Sequence, residues 1–314
     1  QSQVAAAVAR SVGTTTVPAN LNPPLAGAAS SESAEAVNCL LEYTQTFLTN
    51  CVFGDQAATA TMVLFGDSHA TMWFPAVDAA AKAMHERLVL FTKATCPPIQ
   101  LTMFSPVLGR TFTECNEWRN AAVARIQSLR PSVIVLASAP GYGPAGAHVA
   151  LDGPQWLGGQ AAVIRELRQS GARVVTLGPV PAPFTNVPVC LSAHLTSVPG
   201  CDIPDRKARP YMPPGYNEVG LAAERRTVAE AGGLFVDVQP WFCTATTCPV
   251  IVDNLLVFRD ASHITIPYAT YVAPLMTLEL QLALRSSTAP PSRTPAGQRP
   301  RPATAGAVGT APRR

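Results

Sequence analysis

Short, wholly apolar runs alternate along the chain with longer stretches in which large apolar side chains recur every third or fourth position. The first rhythm belongs to strands buried on both faces, the second to helices with one apolar stripe. Met62-Val63-Leu64-Phe65 is the clearest run, and Gly66 allows a sharp exit from it. From Ala70 the pattern turns helical, with Trp73, Val77, Ala80, Ala81 and Met84 on one face. Further strands are predicted over 88–91, 132–136, 173–177 and 234–238, and helices over 117–129, 160–169, 218–231 and 268–284. This alternation predicts an α/β three-layer sandwich, a central and mostly parallel sheet of about five strands covered by helices on both faces. Ligands of such folds sit at the C-terminal ends of the strands, which is where Ser68 falls.

Both ends of the chain depart from that rhythm. Residues 1–37 are mainly Ala, Ser, Thr, Pro and Asn, too poor in large apolar side chains to repay ordering, and they read as a linker. Residues 286–314, rich in Pro, Arg, Ser, Thr and Gly, read as a disordered tail. One domain is therefore expected over 38–285. The chain opens Gln1-Ser2-Gln3 without a signal sequence, which is expected of a piece cut from a longer protein. Between Pro179 and Pro214 a long proline-rich connection carries Cys190 and Cys201; it is either a wall or lid of a substrate site or a plain surface excursion.

Composition narrows the function classes. Hydrophobic residues make up 47% and charged ones 14% of the chain, ample material for a core. The net charge of +3 comes with no basic run interleaved with aromatics, which argues against a nucleic-acid partner. No stretch of eighteen apolar residues is present, so no membrane span is expected. The eight cysteines, Cys39, Cys51, Cys96, Cys115, Cys190, Cys201, Cys243 and Cys248, include no C-x-x-C pair and none with a histidine at zinc-ligand spacing. An even set of this kind points to disulfides and an oxidising compartment rather than to metal. Pairing in sequence order, 39 with 51, 96 with 115, 190 with 201 and 243 with 248, closes only short loops and is the favoured one.

The candidate chemistry begins where the first long strand ends, at Gly66-Asp67-Ser68-His69. A serine at a strand end and a helix start has backbone N–H groups beside it that suit developing negative charge. A serine hydroxyl also needs a base, and the base an orienting acid. Of five histidines only His263 follows an aspartate by three residues late in the chain, in Asp260-Ala261-Ser262-His263, and that stretch looks like the end of a strand. Ser68 as nucleophile, His263 as general base and Asp260 as its orienting acid make a serine acyltransferase or esterase. The bland alternative is a helix cap at Asp67 or Ser68. Asp67 is expected to hold the turn through backbone N–H groups, and His69 to be structural rather than a second base. His85, His148 and His194 carry no motif. No G-x-S-x-G is present, which disfavours a lipase-type α/β-hydrolase.

The pairing of Gly66-Asp67-Ser68-His69 with Asp260-x-x-His263 resembles the SGNH, or GDSL-type, hydrolase family, whose serine, aspartate and histidine form one triad. Further features narrow it: a cysteine shortly before the motif strand in Cys51-Val52-Phe53-Gly54-Asp55, then Cys96-Pro97-Pro98, Cys115-x-x-Trp118-Arg119, and Cys243 and Cys248 ahead of Asp260. Together they resemble the extracytoplasmic SGNH domain fused to membrane-bound acyltransferase-3 proteins. That resemblance covers about 38–284 and implies a flavodoxin-like sandwich working without cofactor. It further implies an acyl donor delivered by a membrane acyltransferase domain, and a cell-envelope glycan or glycolipid that accepts the acyl group, usually acetyl. The implied location is the periplasmic or cell-surface side, within a membrane-anchored protein.

One block departs from the family. General SGNH enzymes add a glycine and an asparagine to the oxyanion hole, whereas the third strand here runs on into Ala137-Ser138-Ala139-Pro140-Gly141 with no asparagine. The Ser68 N–H remains as a donor, with Gly109 and Asn116 as weak candidates. Three functions stay open: acyl transfer to a glycan, a secreted carbohydrate or lipid esterase using the same triad with water, and a non-catalytic glycan-binding domain.

Overall fold

The computed structural model describes residues 2–143, 152–183, 185–204 and 217–285. In chain order the helices are α1 (Ser2–Ser11), α2 (Ala34–Val37), α3 (Ser68–Ala83), α4 (Thr113–Leu129), α5 (Pro154–Leu167), α6 (Val187–Ala193), α7 (Glu218–Glu230), α8 (Ile266–Tyr271) and α9 (Ala273–Arg285). The strands are β1 (Leu40–Leu41), β2 (Val52–Gly54), β3 (Thr61–Gly66), β4 (Arg87–Lys93), β5 (Phe104–Ser105), β6 (Arg110–Thr111), β7 (Val133–Ala137), β8 (Arg173–Leu177), β9 (Ile203–Pro204), β10 (Leu234–Val236), β11 (Thr247–Cys248), β12 (Ile251–Val252) and β13 (Leu255–Leu256).

The central sheet has seven strands in the order β1-β4-β3-β7-β8-β10, with β2 antiparallel against β4 and every other pair parallel. Its two strands beyond the expected five, β1 and β2, are two and three residues long, too short to leave a periodic signal. From β3 the chain crosses to β4 on one side and later returns to β7 on the other. That reversal opens a crevice at the C-terminal end of β3, the position such sheets use for ligands.

Side chains of β3 alternate between two cores as the strand pleat requires. Met62 and Leu64 pack with Trp73 and Val77 of α3 and Met276 and Leu280 of α9. Val63 and Phe65 pack on the other face with Trp118 and Ile126 of α4 and Trp156 and Ile164 of α5. Gly66 is dictated by its neighbour, because a Cβ there would lie 1.8 Å from the Ala137 carbonyl oxygen on β7.

Several elements differ from expectation for identifiable reasons. Helix α5 starts at Pro154, ahead of the predicted 160, because Gly158 and Gly159 interrupt the apolar pattern. Gly159 is needed there, since a Cβ would meet the Gln100 carbonyl at 2.4 Å. The single helix predicted over 268–284 is two, broken at Val272 ahead of Pro274, which lacks the N–H that continuation requires.

The expectation of an unstructured linker over 1–37 is corrected by the structure. Val4, Ala7, Val8 and Ser11 recur at helical spacing on α1 and are buried against the core. Ser11 Oγ accepts the Asp253 N–H at 2.8 Å, and Asn22 exchanges backbone hydrogen bonds with Asn254 and Leu256 on either side of Leu255. The apolar stripe is built from alanine and valine, side chains too small to stand out in a stretch already rich in small residues. The predicted tail over 286–314 lies outside the described residues. No helix among the described residues is long and apolar enough to cross a membrane.

Four disulfides join Cys39 to Cys51, Cys96 to Cys115, Cys190 to Cys201 and Cys243 to Cys248. Contrary to the reading that no cysteine has a histidine at ligand spacing, Cys190 and His194 stand four residues apart and cluster with Cys201, their potential ligand atoms within 4.8 Å of one another. Both sulfurs are spent in one disulfide, however, and offer no thiolate to a metal.

Candidate active site

Asp67 builds the turn that presents Ser68. It is the N-cap of α3: one carboxylate oxygen accepts the His69 N–H at 2.8 Å, and its backbone carbonyl accepts from the Thr71 N–H at 3.1 Å. The other carboxylate oxygen is held from the loop after β7, by the Ala139 N–H at 3.0 Å and the Tyr142 hydroxyl at 2.7 Å. Asp67 is fully buried, and that burial raises its carboxyl to about 6 against the opposing pull of Tyr142 and the two amides. Ser68 opens α3, so its N–H has no intrahelical partner, as a first-turn donor for a developing oxyanion requires.

Asp260 and His263 lie in a tight loop, not at the end of a sheet strand as expected. A bridge between Phe258 and Ile264 pinches the loop shut, and the Arg259 N–H donates to the His263 carbonyl at 2.9 Å. Within it one Asp260 oxygen accepts the backbone N–H groups of Ser262 and His263, each at 2.7 Å. The second oxygen stands 2.8 Å from His263 Nδ1. His263 Nε2 lies 2.9 Å from Ser68 Oγ. Burial pushes the Asp260 carboxyl upward, but the His263 ring and the two amides outweigh it and hold the group well below the ordinary carboxylate range. A carboxylate that stays ionised beside Nδ1 fixes the proton there and leaves Nε2 as the acceptor facing Ser68. The arrangement has the connectivity of nucleophile, base and orienting acid.

His69 does not compete for that role. It is buried with its ring 5.0 Å from that of His263, and burial, reinforced by repulsion from His263, lowers it to about 3 and keeps it neutral. Exposed His85 pairs with Asp55 and His194 with the Cys190 carbonyl, while His148 lies outside the described residues. The two weak oxyanion candidates have local partners of their own. The Gly109 N–H donates to the Ser105 carbonyl in the β5–β6 hairpin, with open space around it, and Asn116 Oδ1 accepts from Arg119.

Sequence reasoning missed three contributors. Tyr142 and the Ala139 amide come from the loop after β7, and register could have indicated them, since Ala137 pairs with Gly66. A wall of the recess beside Ser68 comes from the N-terminal segment: Ser31, Glu32, Ser33 and Val37 face Thr71, Met72 and Pro75 of α3. Arg259 ties that wall down by an ion pair to Glu32 at 2.8 Å and a bond to the Ala29 carbonyl, and Ser31 Oγ accepts the Ile266 N–H. From the long proline-rich connection, the Val187 N–H of α6 reaches the Asp260 carbonyl at 3.4 Å. Its described part is thus ordered and borders the loop, while Phe184 and residues 205–216 lie outside the described residues.

With this geometry in view, the model of the SGNH domain family, described as fused to AT3 domains, matches residues 38–277. The chain belongs to the SGNH domain family. Among solved structures, the SGNH chain is similar to the periplasmic domain of a lipopolysaccharide acetyltransferase from Salmonella ser. Paratyphi A. That match has a TM-score of 0.53 and 16% identity over 72% of this chain and 85% of the other, a likeness of fold. A GDSL-like lipase from Parabacteroides merdae matches with a TM-score of 0.45 and 12% identity over 72% of this chain and 97% of the other. No curated protein matches the chain. Membership of a family fused to AT3 domains supports hydrolase or acyltransferase activity and a membrane acyltransferase as partner domain.

Proposed function

We propose that this SGNH domain is an extracytoplasmic O-acyltransferase that carries an acyl group, acetyl as in the similar lipopolysaccharide acetyltransferase, on Ser68 and passes it to a hydroxyl of a cell-envelope glycan or glycolipid. The observation that carries the proposal is the unbroken line from Ser68 Oγ through His263 to Asp260, at 2.9 and 2.8 Å. As Ser68 Oγ bonds to the acyl carbonyl carbon, its proton moves to His263 Nε2, and Asp260 stabilises the imidazolium. The carbonyl oxygen takes up the negative charge beside the Ser68 N–H. Collapse expels the donor's leaving group, which takes the proton from His263, and the acyl group remains as a Ser68 ester. An acceptor hydroxyl then gives its proton to Nε2 and attacks that ester; Ser68 leaves and recovers the proton.

Water in place of the glycan hydroxyl would make the same site an esterase. Four disulfides support the extracytoplasmic side. The domain layout we infer is an SGNH core over 38–285, with 1–37 joining it to a membrane part while packing on the core. The test is incubation with an aryl acetate followed by mass spectrometry of the Ser68 peptide, then addition of candidate glycans. A Ser68-bound acetyl that moves to sugar, and is absent in Ser68→Ala, is the expected result. Turnover surviving in Ser68→Ala would overturn the nucleophile, and discharge only to water would leave an esterase.

A further inference from the structure

A second recess lies away from Ser68, between the C-terminal ends of β7 and β8 and the helices α5 and α7. Four of its lining residues, Trp156, Gln160, Thr176 and Glu224, are each at most 5% exposed. Each also carries a polar atom with no hydrogen-bond partner among the described residues: Trp156 Nε1, Gln160 Oε1, Thr176 Oγ1 and Glu224 Oε2. An unpaired buried polar group costs about 1–3 kcal/mol, and native structures keep few of them. Four around one recess are the mark of a place where a ligand completes the bonding. Gln160 Nε2 already donates to Glu224 Oε1 at 2.7 Å, so the pair is fixed in orientation. Burial raises the Glu224 carboxyl to about 7, opposed by Gln160 and by the Trp156 indole beside it.

The chemistry of the open atoms selects the ligand. The indole N–H and the threonine hydroxyl can donate, and the glutamine and glutamate oxygens can accept. A hydroxyl answers both kinds at once. A cation would leave the donors unmet, and an anion would meet Glu224 with no lysine or arginine among the described lining residues to offset it. The space is about 20 Å³, enough for one water-sized group. Buried Pro98 and Ile99 and half-buried Pro140 complete the lining with apolar side chains. Ser138 also lines the recess, and its neighbour Ala139 donates to Asp67, so the recess adjoins the loop that holds the Ser68 turn.

We propose that this recess is a hydroxyl-binding subsite for the sugar acceptor, in which one hydroxyl group of the glycan inserts between Trp156, Gln160, Thr176 and Glu224. The proposal rests on the glycan acceptor of the proposed function, and its test is independent of the acyl chemistry. In a ¹⁵N-labelled Ser68→Ala chain, the Trp156 indole N–H resonance, assigned by its loss in Trp156→Phe, is followed during titration with the methyl glycosides of glucose, galactose, mannose and rhamnose. A saturable shift with at least one glycoside is expected. Thr176→Val, or Glu224→Gln if the valine variant does not fold, should weaken it about tenfold. A Trp156 resonance unmoved by all four up to about 100 mM, as an enclosed water alone would give, overturns the subsite. So does a shift that both variants leave unaltered. Failure to find a Ser68 ester would leave this titration untouched, so the two readings fail separately.

Discussion

Removing one oxygen, in Tyr142→Phe, tests how the Ser68 turn is held. The Tyr142 hydroxyl donates to buried Asp67 at 2.7 Å, and a hydrogen bond to a charged group contributes about 1.5–3 kcal/mol. Since a tenfold change in an ionisation equilibrium corresponds to about 1.4 kcal/mol, losing that bond should move Asp67 from about 6 to between about 7 and 8. The sign follows from burial. Asp67 ionises at higher pH in the folded chain than the ordinary aspartate value of 3.8, so its contribution to stability is full below that value and is lost as pH rises through about 6. In the variant the loss continues to higher pH. The destabilisation caused by Tyr142→Phe should therefore be small near pH 5, where Asp67 is protonated in both proteins, and reach about 1.5–3 kcal/mol by pH 8.5. Urea unfolding at the two pH values, with unchanged slopes, measures it. Equal destabilisation at both would mean that the hydroxyl does not bond an ionising Asp67, and the account of the turn would fail.

Three other perturbations probe separate parts of the molecule. Val8→Ala, on a helix expected from composition to be unstructured, should cost about 2 kcal/mol and lower the melting temperature by about 4–8 °C; an unchanged melting temperature would detach α1 from the core. Replacing Cys39 and Cys51 together by serine should cost roughly 2–4 kcal/mol and raise KM, because Val37 and Leu40 beside that bridge line the recess next to Ser68; non-reducing peptide mapping of the parent chain that finds other links would refute the pairing. Asp260→Asn keeps size but presents a donor to His263 Nδ1, which turns the ring's acceptor away from Ser68, so kcat for an aryl acetate should fall by about 10⁴ with the fold retained; a near-normal rate would remove Asp260 from the mechanism.

The central strands and their helices were legible because burial on both faces leaves an uninterrupted apolar run, as in Met62 to Phe65 and Val133 to Leu136. What escaped was structure without bulk. Helix α1 buries valine and alanine, β1 and β2 are too short to show a period, and α5 carries two glycines, one of them required by the nearby Gln100 carbonyl. Each of these is settled by a neighbour distant in sequence, which a window along the chain does not contain.

The Ser68 site divides along the same line. Motif, strand-to-helix context and family resemblance together pointed to Ser68, Asp260 and His263, because a nucleophile, its base and an orienting acid admit few substitutes. The residues that hold them have many. Asp67 is met by a tyrosine and an amide from beyond β7, Arg259 by Glu32 near the N-terminus, and the Asp260 carbonyl by an amide of α6. These supports come from segments with no common motif, and any donor of the right reach would serve. One consequence is that the N-terminal segment, the plainest part of the sequence, is structurally part of the site. Arg259 sits next to Asp260, so its ion pair with Glu32 anchors the loop that aims His263 at Ser68 to the N-terminal segment.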